Sequence, residues 1–205
     1  PPESIERIVR ASLEIRPSDG GPPIRGVLRA PEGPPPDTVV VLCHGFKGFR
    51  RWGFFPRLAR ELAVRGHAAI SFDFSHNGVG SDGVDFSALE LFREATHTRN
   101  VDEIRMVLDT ITRGPLFPHP PRAIGLFGHS RGGGEAILAA AEDSRVNALV
   151  TWAAISRVQR WSRDQIATWE RGEPIHIQNA RTGQAMPIGP GYWRDLVANR
   201  ERLDI

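Results

Sequence analysis

Short apolar runs alternate along this chain with stretches in which apolar residues return every three or four positions. The runs are Thr38–Cys43, His67–Phe74, Arg122–Phe127 and Asn147–Trp152, rich in Val, Ile, Leu and Phe. Continuous apolar runs of this length suit strands covered on both faces of a sheet. Between them, Phe55–Arg65 predicts an amphipathic helix ended by Gly66. Ser87–Thr112 predicts one long helix, with Leu89, Phe92, Val101, Ile104, Val107, Leu108 and Ile111 at helical spacing. Gly134–Glu142 predicts a third. Strand–helix alternation of this kind argues an α/β fold with a right-handed, mostly parallel sheet and helices on both faces. Ahead of it, residues 5–16 and 23–30 predict two strands joined at the turn Pro17-Ser18-Asp19-Gly20-Gly21.

The pattern changes near residue 154. Residues 155–205 carry Trp161, Trp169 and Trp193, and predict short helices around a polar hairpin, Ile175–Ile188, turning at Thr182-Gly183-Gln184. The expected division is a core over 1–154 and, over 155–205, a cap insertion with the start of the return to the core. A length of 205 residues fits one domain with room for such an insertion. Mean hydropathy is −0.29, and no apolar run approaches the ~20 residues of a spanning helix. The net charge of +2, without a Lys/Arg block, speaks against nucleic acid and membrane surfaces as partners. All but one of the basic residues are Arg, the exception being Lys47. A single cysteine, Cys43, excludes an internal disulfide framework and reads as a buried strand residue. No secretory segment opens the chain, which makes a cytoplasmic location the expectation, although the first residue is Pro1 rather than Met.

The chemistry lies at Gly128-His129-Ser130-Arg131-Gly132, a G-x-S-x-G between an apolar run and a helical stretch. A serine at a strand-to-helix corner is held in a strained conformation with its hydroxyl exposed, and glycines on either side leave room for the turn. Ser130 is therefore the candidate nucleophile, with the positive end of the following helix aimed at it. Acyl transfer also needs donors for the developing oxyanion. His44-Gly45-Phe46-Lys47-Gly48 follows an apolar strand directly, and its placement nominates the backbone N–H groups of Phe46 and Arg131. His44, Gly45, Gly128, His129 and Gly132 are expected to support the site.

Taken in order, these residues resemble the α/β-hydrolase family. The likeness covers residues 38–152 and is greatest to dienelactone-hydrolase-like and cinnamoyl-esterase-like carboxylesterases. It implies two extra N-terminal strands, a small cap after the sixth strand, a small-molecule ester as substrate and no cofactor. It also implies the order Ser, acid, His, and here the chain departs. The one histidine after Ser130 is His176, inside the hairpin, and no apolar strand follows Trp152 to carry an acid. The expectation is that the last strands, the acid and the base lie beyond Ile205. A missing C-terminal segment or a second copy of the chain would then cover the sheet edge at Asn147–Trp152.

Within the chain, His76 and His176 are the alternative bases, while His67, His97 and His119 read as surface or strand-end residues. Asp73-Phe74-Ser75-His76-Asn77-Gly78 has the opening of a calcium loop, but Val84 stands where its Glu should, and no metal is expected. Asp73 reads instead as a tie for the neighbouring loop. Lys47, Arg50, Arg51 and Arg131 read chiefly as solvated charge, with an anionic substrate as the alternative. Trp161, Trp169 and Trp193 suit either an acyl pocket or a small core of the cap. The functional reading is a serine esterase, with a peptidase or acyltransferase on the same elbow, or a catalytically incomplete fragment, as alternatives.

Overall fold

The computed structural model describes residues 7–205. Strands β1 (Ile8–Ile15) and β2 (Ile24–Pro31) form the predicted hairpin, Ile5 and Glu6 lying outside the described residues. There follow β3 (Thr38–Cys43), α1 (Phe55–Val64), β4 (Ala68–Asp73), α2 (Leu89–Arg93), α3 (His97–Arg113), β5 (Ala123–His129), α4 (Arg131–Glu142) and β6 (Val146–Trp152). The sheet order is β1-β2-β4-β3-β5-β6, antiparallel at β1/β2 and β2/β4 and parallel from β4 to β6. Beyond it come α5 (Arg163–Glu170), a separate two-stranded sheet of β7 (Ile175–Gln178) and β8 (Ala185–Ile188), and α6 (Pro190–Ala198).

Alternation along β3 divides the core. Leu42 packs with Phe55 and Ala59 of α1 and Ala69 of β4. Val39, Val41 and Cys43 join the larger cluster that takes in α3, α4 and the segment after β6. Successive strand side chains point to opposite faces, so each needs its own cover, worth roughly 1.5–3 kcal/mol per large side chain buried. β4 is buried at every position, Ser71 and Asp73 included, as suits a strand covered on both faces. Ile175, Met186, Tyr192 and Leu203 belong to the larger cluster as well, so the C-terminal segment shares one core with the sheet.

The expected helix over Ser87–Thr112 is two helices. Glu94-Ala95-Thr96 breaks it, because the Thr96 hydroxyl caps α3 by accepting from the Arg99 N–H at 3.2 Å. Apolar spacing continues across the break, so periodicity alone does not reveal it. α4 likewise begins at Arg131 rather than Gly134, since the turn at Ser130 leads straight into helix. Among the described residues, no helix is long and apolar enough to cross a membrane.

Candidate active site

Ser130 is the single residue between β5 and α4, and its backbone sits at φ 55°, ψ −120°. The left-handed region costs a side-chain-bearing residue about 1 kcal/mol or more, so neighbours must hold it there. They do. The Ser130 N–H donates to the Trp152 carbonyl at 3.0 Å, and its own carbonyl accepts from Gly133, Gly134 and Ile155 at 3.0, 3.2 and 3.1 Å. The flanking glycines are demanded by close backbone approach. A Cβ at Gly128 would meet the Gly132 oxygen at 2.5 Å, and one at Gly132 would meet the His44 oxygen at 2.2 Å.

That last contact brings in the loop after β3. Buried His44 accepts the Phe74 N–H on Nε2 at 3.2 Å, so Nδ1 carries the proton and donates to the Gly45 carbonyl at 2.9 Å. Burial pushes its pKa down to about 4, and it braces the loop as a neutral ring. Gly45 lies against the elbow, where an added Cβ would stand 3.1 Å from Ser130 Cβ. Among the described residues, the N–H groups of Phe46 and Arg131 have no acceptor. Both residues border a cavity of about 440 Å³ together with Ser130. His129 instead packs among Trp52, Phe54 and Trp152 and faces a smaller cavity of about 220 Å³.

His97 overturns its expected place at the surface. It is buried on the wall of the larger cavity. Its Nδ1 donates to Glu135 Oε1 at 2.9 Å, which leaves Nε2 to accept the Tyr192 hydroxyl at 2.7 Å. The same Glu135 oxygen accepts from Asn100 Nδ2 at 2.9 Å and Arg131 Nε at 2.8 Å. Burial alone would raise the Glu135 carboxyl, but the Arg131 charge and the His97 hydrogen bond outweigh it and hold it below the usual range. Burial and the Arg131 charge push His97 down, so it stays neutral between its two partners. The Arg131 guanidinium lies 5.4 Å from the ring centres of both Phe46 and Tyr192. Of this network, the sequence offers just the Arg131–Glu135 spacing of one helical turn.

The other residues singled out fall into place. Asp73 ties the loop as expected, accepting from the Arg50 N–H at 2.6 Å and pairing with the Arg50 guanidinium. His76 is buried beside Ser75, which also bonds Glu103, and does not border either cavity at Ser130. His176 is exposed on β7, while its neighbour Ile177 lines the larger cavity. His67 bonds Thr38 at a strand start and His119 is exposed. Among the described residues, no histidine hydrogen-bonds the Ser130 hydroxyl. The tryptophans divide between the two expected roles: Trp161 lines the larger cavity, while Trp169 is buried behind it and bonds the Ile188 carbonyl. Cys43 is buried, and burial pushes its thiol far up, so it is chemically quiet.

A serine in this backbone conformation, at the carboxyl end of a central parallel strand and the head of a helix, defines the α/β-hydrolase class. The model of the family described as "Serine aminopeptidase, S33" matches residues 34–176, and the chain belongs to that family. It is 30% identical over 129 residues to an uncharacterized 31.7 kDa protein of Escherichia coli, a match covering 63% of this chain and 41% of the relative. A putative hydrolase from Agrobacterium vitis superposes with a TM-score of 0.69 at 19% identity, over 94% of this chain and 72% of that one. A dienelactone hydrolase from Anabaena variabilis superposes with a TM-score of 0.52 at 25% identity, over 72% of this chain and 64% of that one. The chain thus spans under half the length of the curated relative it matches.

Proposed function

We propose that this hydrolase cleaves carboxylic esters through an acyl-enzyme on Ser130. The observation that carries the reading is the Ser130 corner itself, strained to positive φ, with two unengaged amides beside it on one cavity wall. In this reading Ser130 Oγ attacks the acyl carbon as its proton passes to a base. The N–H groups of Phe46 and Arg131 hold the oxyanion, helped by the amino end of α4. Collapse of the intermediate expels the alcohol with a proton from the same base, and water then releases the acid. Residues 155–205 act as the cap, with Ile155, Val158, Trp161, Ile177 and Tyr192 walling the site. Likeness to a dienelactone hydrolase, an enzyme named for an ester-type substrate, supports an ester over an amide.

The base and its acid come, in this reading, from polypeptide outside these 205 residues. His97 lines the same cavity and is oriented by the Glu135 carboxylate buried behind it, but Tyr192 occupies the nitrogen a base would use. Ser130→Ala in the complete protein is expected to abolish hydrolysis of p-nitrophenyl esters while leaving the thermal midpoint within a few degrees. Turnover unchanged by that substitution would refute the mechanism. A second reading, an aminopeptidase, is favoured by the family description. Aminoacyl-p-nitroanilides assayed beside the matched esters separate the two.

A further inference from the structure

The hydrogen bonds at Glu135 satisfy half of its carboxylate. One oxygen, Oε1, takes all three donors, from His97, Asn100 and Arg131. The other, Oε2, has no partner among the described residues, and neither do Asn100 Oδ1 and Arg131 Nη2. All three atoms are sealed from solvent, on residues that are 0, 6 and 8% exposed for Glu135, Asn100 and Arg131. Polypeptide packing on the outside could not reach them, so whatever satisfies them sits inside. Buried polar groups are nearly always hydrogen-bonded, and three such atoms on side chains that meet at one oxygen suit a common partner.

The same three residues share a wall. With Gly45 and Phe46 of the loop after β3, they line a cavity of about 20 Å³. A water needs about 10–15 Å³ of such space, so the cavity accommodates one. The other polar side chains of the wall are engaged elsewhere. His44 uses both nitrogens, and Asn77 bonds the Gly48 carbonyl and the Val79 N–H. His76 bonds Ser75 through Nδ1, and the Lys47 ammonium donates to the Gln178 carbonyl. What is left is two acceptors and one donor. The Glu135 carboxylate opposes an anion there, and the Arg131 guanidinium opposes a metal ion or ammonium. Water has the matching valences, two O–H groups to give and a lone pair to receive.

We propose that this cavity is the site of one structural water. It donates to Glu135 Oε2 and Asn100 Oδ1 and accepts from Arg131 Nη2. Asn100 belongs to α3 and the other two to α4, so the water ties these helices together. It also completes the hold on Arg131, whose Nε is on Glu135 and whose guanidinium lies 5.4 Å from the ring centres of Phe46 and Tyr192. The site does not depend on the ester reading. One consequence does: Phe46 and Arg131 carry the two amides assigned to the oxyanion, and the water, through the Arg131 side chain, keeps them in register.

The test is a crystal structure of the complete protein in which ordered solvent is resolved, beside that of Asn100→Leu. The parent should show one solvent peak within hydrogen-bond distance of Glu135 Oε2, Asn100 Oδ1 and Arg131 Nη2. Leucine is close to asparagine in size and offers no acceptor, so the variant should lose the peak. In p-nitrophenyl ester hydrolysis the variant should lose kcat by about tenfold with KM nearly unchanged, as expected of misaimed donors rather than lost binding. If the variant does not fold, the parent density decides alone. No solvent peak among the three atoms in the parent, or a peak that stays in place in Asn100→Leu, overturns the water site. Loss of the peak with kcat unchanged overturns its positioning role. A parent protein that turns over no ester refutes the ester reading and leaves the water site to the density.

Discussion

A methyl group at Gly132 would fall 2.2 Å from the His44 carbonyl oxygen and 2.7 Å from that of Cys43. Both obstacles are backbone, so no rotamer change relieves them, and either α4 or the loop after β3 must move. Gly132→Ala is therefore expected to destabilise the fold by about 1–3 kcal/mol, the usual cost of overpacking. It should also depress kcat well beyond the effect on stability, because the Phe46 and Arg131 amides would lose their common aim in the proposed mechanism. Urea unfolding beside single-turnover kinetics checks both parts. This crowding was legible in the sequence. Ser130, its glycines and Phe46 sit in local turns whose residue types are dictated by the turn itself. Arg131 was legible as an amide, but not as a side chain held between two aromatic rings.

At the scale of elements, the buried cluster joining α3, α4 and α6 was not legible. Glu135 lies 38 residues from His97 and 35 from Asn100, and Tyr192 lies 95 residues from His97, so only packing of three helices brings them together. Glu135 accepts from three donors on one fully buried carboxylate. Glu135→Ala would leave the Arg131 charge buried and unpaired, and a loss of about 3–5 kcal/mol is expected in chemical denaturation. α3 carries a second buried acid of opposite character. Burial raises the Glu103 carboxyl to about 7, against the hydrogen bonds it accepts from Ser75. The folded chain then holds a proton that the unfolded chain has released above its ordinary value of 4.5. Stability from this group is fully present below about pH 4.5 and is lost as pH rises through about 7. Glu103→Gln, neutral at every pH, should remove that decline. Stability compared at about pH 5 and about pH 8 should fall less in the variant than in the parent chain. An equal fall in both would mean that the carboxylate is solvated when ionised.

At the scale of the 205-residue chain, the described sheet is covered unevenly, and β6 shows it. The run Asn147–Trp152 has the apolar composition of a central strand, which is how its pattern reads. Among the described residues it is an edge, paired with β5 alone, and Val146 is its sole residue that is not exposed. Leu149 is 38% exposed and Val150 58%, and adjacent strand residues point to opposite faces, so neither face is covered there. Periodicity registers what a strand is suited to, not whether its neighbours are present, and this is why a buried strand and a bare edge read alike. An apolar edge with free ladder groups is a template for pairing with another strand. We therefore expect the 205-residue chain to self-associate as its concentration rises, through β6. Val150→Lys places a charge on that edge without touching the Ser130 N–H, which is held by the Trp152 carbonyl. Sedimentation velocity should show the variant shifted toward monomer, with far-UV circular dichroism unchanged. Association undiminished by the lysine would place the contact elsewhere and leave β6 without a role in it.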